Sequence, residues 1–223
     1  SSYWRNSDHQ RQYGDNQKVN RINELLKLIG WPGLITLLSI LSSWTAIGFL
    51  LSEDVKLTVV FGAIAFQLDV LDGYLARKLN KTSDFGRQLD SLSDVINYSL
   101  LAALVTSQYL LPNLLGYIVG FLILAFGILR LALFNIKGFY NEGEVLYYRG
   151  IITCHLSLAT LLIYVAERIL PIENLPYRDL LIALILSLLA IGQLTQIRTR
   201  KTGVLIFWIP VSILIGVGGL LWL

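Results

Sequence analysis

Methionine is absent from this 223-residue chain, and cysteine occurs once, as Cys154. One thiol excludes an internal disulfide, and its position within an apolar run reads as simple packing. Because even the first position lacks methionine, the opening Ser1-Ser2 reads as a trimmed tag or processing scar without functional content. No charged tip followed by a short apolar core opens the chain, so no cleavable signal peptide is expected. Charge is sparse, with Asp, Glu, Lys and Arg making up 15% of residues, and there is no internal repeat or low-complexity tract. What the chain does have is apolar length. Hydrophobic residues make up 55% of it and gather in long runs. That composition predicts a polytopic membrane protein rather than a soluble domain.

Residues 1–20 are polar and are expected to be loosely ordered. Ile22, Leu25, Leu26 and Ile29 then form a stripe opposite Arg21, Glu24 and Lys27. This predicts an amphipathic helix lying in the membrane interface, with Trp31 as its anchor. The division that follows is 1–31 for the polar N-terminus and interfacial helix and 32–223 for the transmembrane domain. Spans are expected at about 32–51, 55–77, 86–111, 114–136, 150–170, 180–197 and 204–223, each near the ~20 residues that cross a bilayer core. Backbone polar groups in lipid require these spans to be helical. Gly216, Gly218 and Gly219 soften the last one. The fold class is therefore an all-α integral membrane bundle of six to seven transmembrane helices.

The bases set an orientation. Of the 18 Lys and Arg, fifteen fall in the N-terminal segment and alternate loops, leaving Lys56, Arg168 and Arg178 on the other side. Positive charge favours the cytoplasm, which places the N-terminus and the loop after the second span inside.

That loop joins two pairs of acids. Asp69 and Asp72 close one apolar segment, and Asp90 and Asp94 open the next. Spacings of three and four put each pair on one helix face, with Gly73 and Ala76 beside the first and Gly86 one turn before the second. An acid at membrane depth costs about 2.5–3.5 kcal/mol, so four of them need a compensating partner. The nearby bases are few and peripheral, and carboxylate oxygens suit hard divalent cations. Helix caps in a solvated loop are the plain alternative, but cap acids need no pairing on both sides of one loop. A divalent-cation channel or transporter lined by the aspartates is a further alternative.

The pattern D-x-x-D-G-x-x-A-R, eight residues, then G-x-x-x-D-x-x-x-D resembles the signature of the CDP-alcohol phosphotransferases. It is met at Asp69, Asp72, Gly73, Ala76, Arg77, Gly86, Asp90 and Asp94. The resemblance implies two divalent cations, Mg²⁺ or Mn²⁺, held by the four aspartates, with Asp69 and Asp90 bridging both. It implies that Asp94 also acts as the base on the attacking alcohol. It further implies that Gly73, Ala76, Arg77, Ser83 and Gly86, with Pro32 and Thr36 of the first span, contact the CDP-lipid. The match is looser there, since Gly33 replaces an Asn often found beside that proline.

Three features are similar to the phosphatidylserine synthase branch: Gly86–Asp94 (GRQLDSLSD), Leu129–Asn135 (LRLALFN) and the Tyr148-Arg149-Gly150 turn. They imply CDP-diacylglycerol as donor, serine as acceptor, and acceptor contacts from Arg130, Asn135 and Arg149. There are departures. Leu133 replaces a second arginine, Ile151 and Ile152 replace prolines, and Asn97-Tyr98-Ser99 stands where Ser-Phe-Gly is common. Glycerol phosphate, inositol phosphate or choline are therefore alternative acceptors. Membrane lipids and, by resemblance, a second copy of the chain are the expected partners, with no nucleic acid.

Overall fold

Gly30 breaks the first helix. The computed structural model describes residues 2–138, 140–142, 145–170 and 175–222, with side chains described for 22–138, 147–148, 150–170, 175–198 and 209–221. Ser1 and the side chains of Arg5, Arg11, Lys18, Arg21, Arg149, Arg200 and Lys201 lie outside that set. Helix α1 (Ser2–Leu51) is interrupted at Gly30 by φ 57°, ψ −175°, a conformation open to glycine and strained for other residues. Pro32 follows at the restart, where its missing N–H costs nothing. Loose order is expected before residue 21, yet the helix extends back to Ser2. Those twenty residues hold no proline and a single glycine, Gly14, so no strong breaker interrupts the helix.

Helix α2 (Val55–Lys78) starts at Asp54, whose side chain accepts from Leu57 N at 3.0 Å. It lies along α1 through stacked Phe49 and Phe61 rings, 5.5 Å apart, and a Ser42 Oγ to Phe61 O hydrogen bond of 2.8 Å. Residues 79–83 turn the chain into α3 (Asp84–Asp94), which Ser83 caps by accepting from Gly86 N at 3.0 Å. The helix continues through a π-helical stretch (Val95–Leu100), α4 (Leu101–Val105) and a second π stretch (Thr106–Leu110). Each widened turn shifts the phase of the side chains that follow.

Helix α5 (Leu114–Lys137) is followed by a small sheet where a polar loop is expected. Strands β1 (Tyr140–Glu142) and β2 (Val145–Arg149) pair antiparallel, and β3 (Arg198–Arg200) joins β2 with Arg149 opposite Arg198. The β-branched Val145 and aromatic Tyr147 and Tyr148 suit a strand, and two strands from distant loops satisfy each other's backbone groups. Gly150, at φ 73°, then turns the chain into α6 (Thr153–Ile169); a Cβ there would lie 2.2 Å from Gln193 O. Helices α7 (Arg178–Gly192) and α8 (Lys201–Trp222) complete the order. The sixth span is expected to reach Ile197, but α7 ends at Gly192 in a turn closed by Thr195 N to Gly192 O.

The interior is apolar, centred on Leu101, Val105, Ile123, Leu156, Leu161 and Leu186. So is much of the outside, where Trp44, Leu114 and Phe121 are exposed. An apolar surface over an apolar core fits a protein solvated by lipid. Among the described residues three helices are long and apolar enough to cross a membrane, Ile22–Leu51, Val55–Lys78 and Leu114–Lys137. At 17 and 15 residues, α6 and α7 are shorter than the spans expected for them.

Candidate metal centre and active site

The five-residue connection between α2 and α3 holds these helices side by side, so their acidic faces meet. Carboxylate oxygens of Asp69, Asp72 and Asp90 all lie within 4.8 Å of one another. Asp94, one turn beyond Asp90, is outside that group of three but lines the same cleft, beside Asp69. The cleft has a volume of about 1080 Å³ and runs from the Gly30 break, past the α2–α3 loop, to the ends of α5 and β2.

Two hydrogen bonds orient the acids. Thr36 Oγ1, from α1, donates to Asp72 Oδ2 at 2.5 Å, and Tyr98 Oη, from the π stretch, donates to Asp69 Oδ2 at 2.8 Å. Asp72 is only 3% exposed, and Asp69 Oδ1 is buried without a hydrogen-bond donor. Buried carboxylate oxygens are costly unless paired. Among the described residues, no Lys or Arg forms an ion pair with any of the four acids; the pairs present join Arg87 to Asp84 and Arg178 to Glu167 and Asp179. An all-oxygen donor set, converging from two helices with a buried oxygen lacking a donor, fits a hard divalent cation.

Most residues singled out in the sequence come together here. Pro32, Thr36, Gly73 and Ala76 line the cleft, as do Arg77, Ser83 and Gly86. Their local duties differ from one another. Thr36 is engaged by Asp72, and Ser83 by the α3 N-terminus. The Arg77 guanidinium folds back one turn over Gly73, where an added Cβ would meet it at 3.3 Å. The room that Gly73 leaves is thus taken by Arg77 in this structure.

Arg130 projects from α5 into the same cleft and is 5% exposed. Its guanidinium lies 5.6 Å from the Phe134 ring and 5.8 Å from Tyr148, with Nη1 3.4 Å from Thr153 Oγ1. Its Nε is buried without a hydrogen-bond acceptor. Asn135 does not line the cleft; it accepts from Ser91 Oγ at 3.0 Å and donates to Gln88 at 3.4 Å, tying α5 to α3. The backbone of Arg149 lies in β2, and its side chain falls outside the described set.

Sequence reasoning missed Tyr98 and the Phe134–Tyr148 aromatic flank of Arg130. Tyr98 was accessible, being four residues beyond Asp94. Tyr148 was not, because the β2–β3 pairing that positions it joins distant loops. Cys154, expected simply to pack, is buried but forms part of the cleft wall.

Comparison with known proteins agrees with this geometry. Residues 30–191 match the family model described as CDP-alcohol phosphatidyltransferase. A CDP-diacylglycerol--serine O-phosphatidyltransferase of Mycobacterium tuberculosis is 38% identical over 105 residues, covering 47% of this chain and 37% of the relative. The Bacillus subtilis protein of the same name is 34% identical over 109 residues, 48% of this chain and 61% of its own length. An archaetidylserine synthase of Methanothermobacter thermautotrophicus is 32% identical over 116 residues, 51% and 50% of the two chains. The matches therefore span between 37% and 61% of these relatives' lengths. With a family model covering most of its length and the aspartates of both signature halves in one cleft, this chain belongs to the CDP-alcohol phosphatidyltransferase family.

Proposed function

We propose that this protein transfers a phosphatidyl group from CDP-diacylglycerol to the side-chain hydroxyl of serine, releasing CMP. The observation that carries the reading is the convergence of Asp69, Asp72 and Asp90 within 4.8 Å, with no ion pair to Lys or Arg among the described residues, in a cleft large enough for a nucleotide. The family is metal-dependent, and the relatives above are all named for serine products or substrates. Family membership also speaks against the channel or transporter alternative.

In this reading residues 1–31 form an interfacial segment and 32–223 the catalytic membrane domain of six to seven crossings. The distribution of bases supports a cleft facing the cytoplasm, and family resemblance supports a homodimer. Asp69, Asp72, Asp90 and Asp94 would hold two divalent cations, Mg²⁺ or Mn²⁺, which when bound neutralise the diphosphate and the departing CMP. Arg77 swings from Gly73 to the diphosphate, a geometry suited to its planar fork. Pro32, Thr36, Ala76, Ser83 and Gly86 form the nucleotide wall.

Asp94 takes the proton of the serine hydroxyl as that oxygen bonds to the phosphatidyl phosphorus and the bond to CMP breaks. The bonding electrons leave with CMP, and the proton stays on Asp94. Arg130 receives the serine carboxylate with the Nε that lacks an acceptor, since a buried fork is satisfied by a planar anion. Asn135 supports that pocket from behind by joining α5 to α3. Arg149, whose backbone ends β2, would be a further acceptor contact.

A phosphorylated acceptor would need several bases at the inner end of the cleft. Arg130, near Phe134 and Tyr148, offers one guanidinium fork, which suits a singly charged carboxylate.

The test uses the full chain in detergent with CDP-diacylglycerol and, in turn, serine, glycerol phosphate, inositol phosphate and choline. CMP release should require Mg²⁺ or Mn²⁺, cease with a chelator and respond most to serine. No metal-dependent CMP release with any alcohol would sink the enzyme reading, and greater stimulation by another alcohol would sink serine alone.

A further inference from the structure

We infer that Tyr98 is a positioning residue for the metal-binding carboxylate of Asp69, a role that rests on the metal-centre reading above. The two oxygens of Asp69 are in different states. Oδ2 accepts the Tyr98 hydroxyl at 2.8 Å, while Oδ1 is buried with no donor. A neutral donor on one oxygen fixes the plane of the carboxylate without cancelling its charge. The other oxygen stays available, and the acid still needs a cation. Partners of this kind behind a ligand set its orientation and its affinity.

The hydroxyl is itself held in place. Tyr98 is 4% exposed, and its ring meets the Phe66 ring edge-on, centroids 6.1 Å apart and planes at 67°. Phe66 lies one turn before Asp69 on α2, so α2 supplies both the carboxylate and the brace for the ring that orients it. The π-helical stretch carrying Tyr98 begins directly after Asp94. It is tied to α1 by Asn97 Nδ2 to Ser39 Oγ, 3.0 Å, and Ser39 in turn donates to Thr36 O at 2.8 Å. On the other side Ser99 sits so close to α5 that a Cβ on Gly127 would lie 2.1 Å from its Oγ. A widened turn fixed on both flanks is a rigid mount, and a mount placed at the carboxylates implies a task there.

The test measures Mn²⁺ binding to the full chain in detergent, without lipid substrate, by loss of the paramagnetic resonance signal of free Mn²⁺. Wild type, Tyr98→Phe and Tyr164→Phe are compared. Tyr164 is another buried tyrosine, packed against Tyr109 at 5.7 Å and outside the cleft wall. Tyr98→Phe should weaken Mn²⁺ binding by about 10-fold or more, the usual cost of losing such a partner. Tyr164→Phe should bind as wild type does. CMP release by Tyr98→Phe should return toward the wild-type rate at saturating Mn²⁺, with the half-saturating concentration raised by the same factor. Equal Mn²⁺ affinity in Tyr98→Phe and wild type would overturn the inference, as would equal losses in the two tyrosine variants. No Mn²⁺ binding by the wild type would overturn the metal-centre reading and this inference together, a result distinct from either.

Discussion

Thr36 Oγ1 lies 2.5 Å from Asp72 Oδ2, joining the first membrane helix to the first acid pair. Both groups are buried, at 5% and 3% exposure. The same hydroxyl is 3.2 Å from Pro32 O, so the shorter contact to the carboxylate takes its one proton. Thr36→Val keeps the shape and removes the proton. It should raise the divalent-ion concentration needed for half-maximal CMP release by about 10-fold. Thr36→Ser, which keeps the donor, should stay close to wild type. Equal metal dependence in Thr36→Val and wild type would show that Asp72 is oriented by something else.

Asp94 is the acid assigned the proton, and it stands just outside the tight group of three. Asp94→Asn keeps the volume and removes the basicity. CMP release should fall by about 10²–10⁴-fold, the span usual for a lost general base. Binding of the CDP-lipid, followed by its protection of the melting temperature, should be largely retained. Normal turnover in Asp94→Asn would remove it from the proton path.

The parts of this site that were legible in the sequence are those set by local geometry. Helical spacing alone puts Asp69 with Asp72 and Asp90 with Asp94 on common faces, and a five-residue turn brings the faces together. Apolar length likewise located α2, α5 and the part of α1 after Gly30 to within a few residues. What could not be read depends on contacts between distant segments. Thr36 meets Asp72 across 36 positions, and Tyr148 reaches Arg130 only because β2 pairs with β3. The strands themselves were hidden because short runs in polar loops carry little periodic signal. The π stretch after Asp94 was also invisible, since a widened turn leaves no mark in residue spacing until the partners of Tyr98 are known.

Away from the cleft, Arg178 ties α7 to α6, and its neighbour Asp179 ties α7 to the start of α5. Its Nη2 is 2.5 Å from Glu167 on α6 and its Nη1 2.6 Å from Asp179 on α7, while Asn113 at the start of α5 donates to Asp179 at 3.3 Å. The Arg178 and Glu167 side chains are 18% and 10% exposed, so losing the arginine leaves a largely desolvated carboxylate. Arg178→Ala should destabilise the protein by about 1–3 kcal/mol, between the exposed and fully buried cases. The melting temperature in detergent should fall while Mn²⁺ affinity and the KM for serine stay unchanged. A change in either constant without loss of stability would connect this cluster to the site.

Arg130 provides the sharpest test of the acceptor. Its guanidinium is a plane near two aromatic rings, and a lysine could supply the charge but neither the plane nor the fork. Arg130→Lys should therefore resemble Arg130→Ala more than wild type, both raising the KM for serine by about 10-fold or more. That factor corresponds to the ~1.5–3 kcal/mol of a hydrogen bond to a charged group. The KM for CDP-diacylglycerol should change by far less, because the proposed donor site is built from Arg77 and the acid cluster. A larger effect on the donor KM would move Arg130 to the nucleotide side, leaving serine recognition to other residues. Ethanolamine, which has the hydroxyl and amine of serine but no carboxylate, separates the two outcomes further. It should be a poor acceptor for the wild type, and Arg130→Ala should narrow the gap between it and serine.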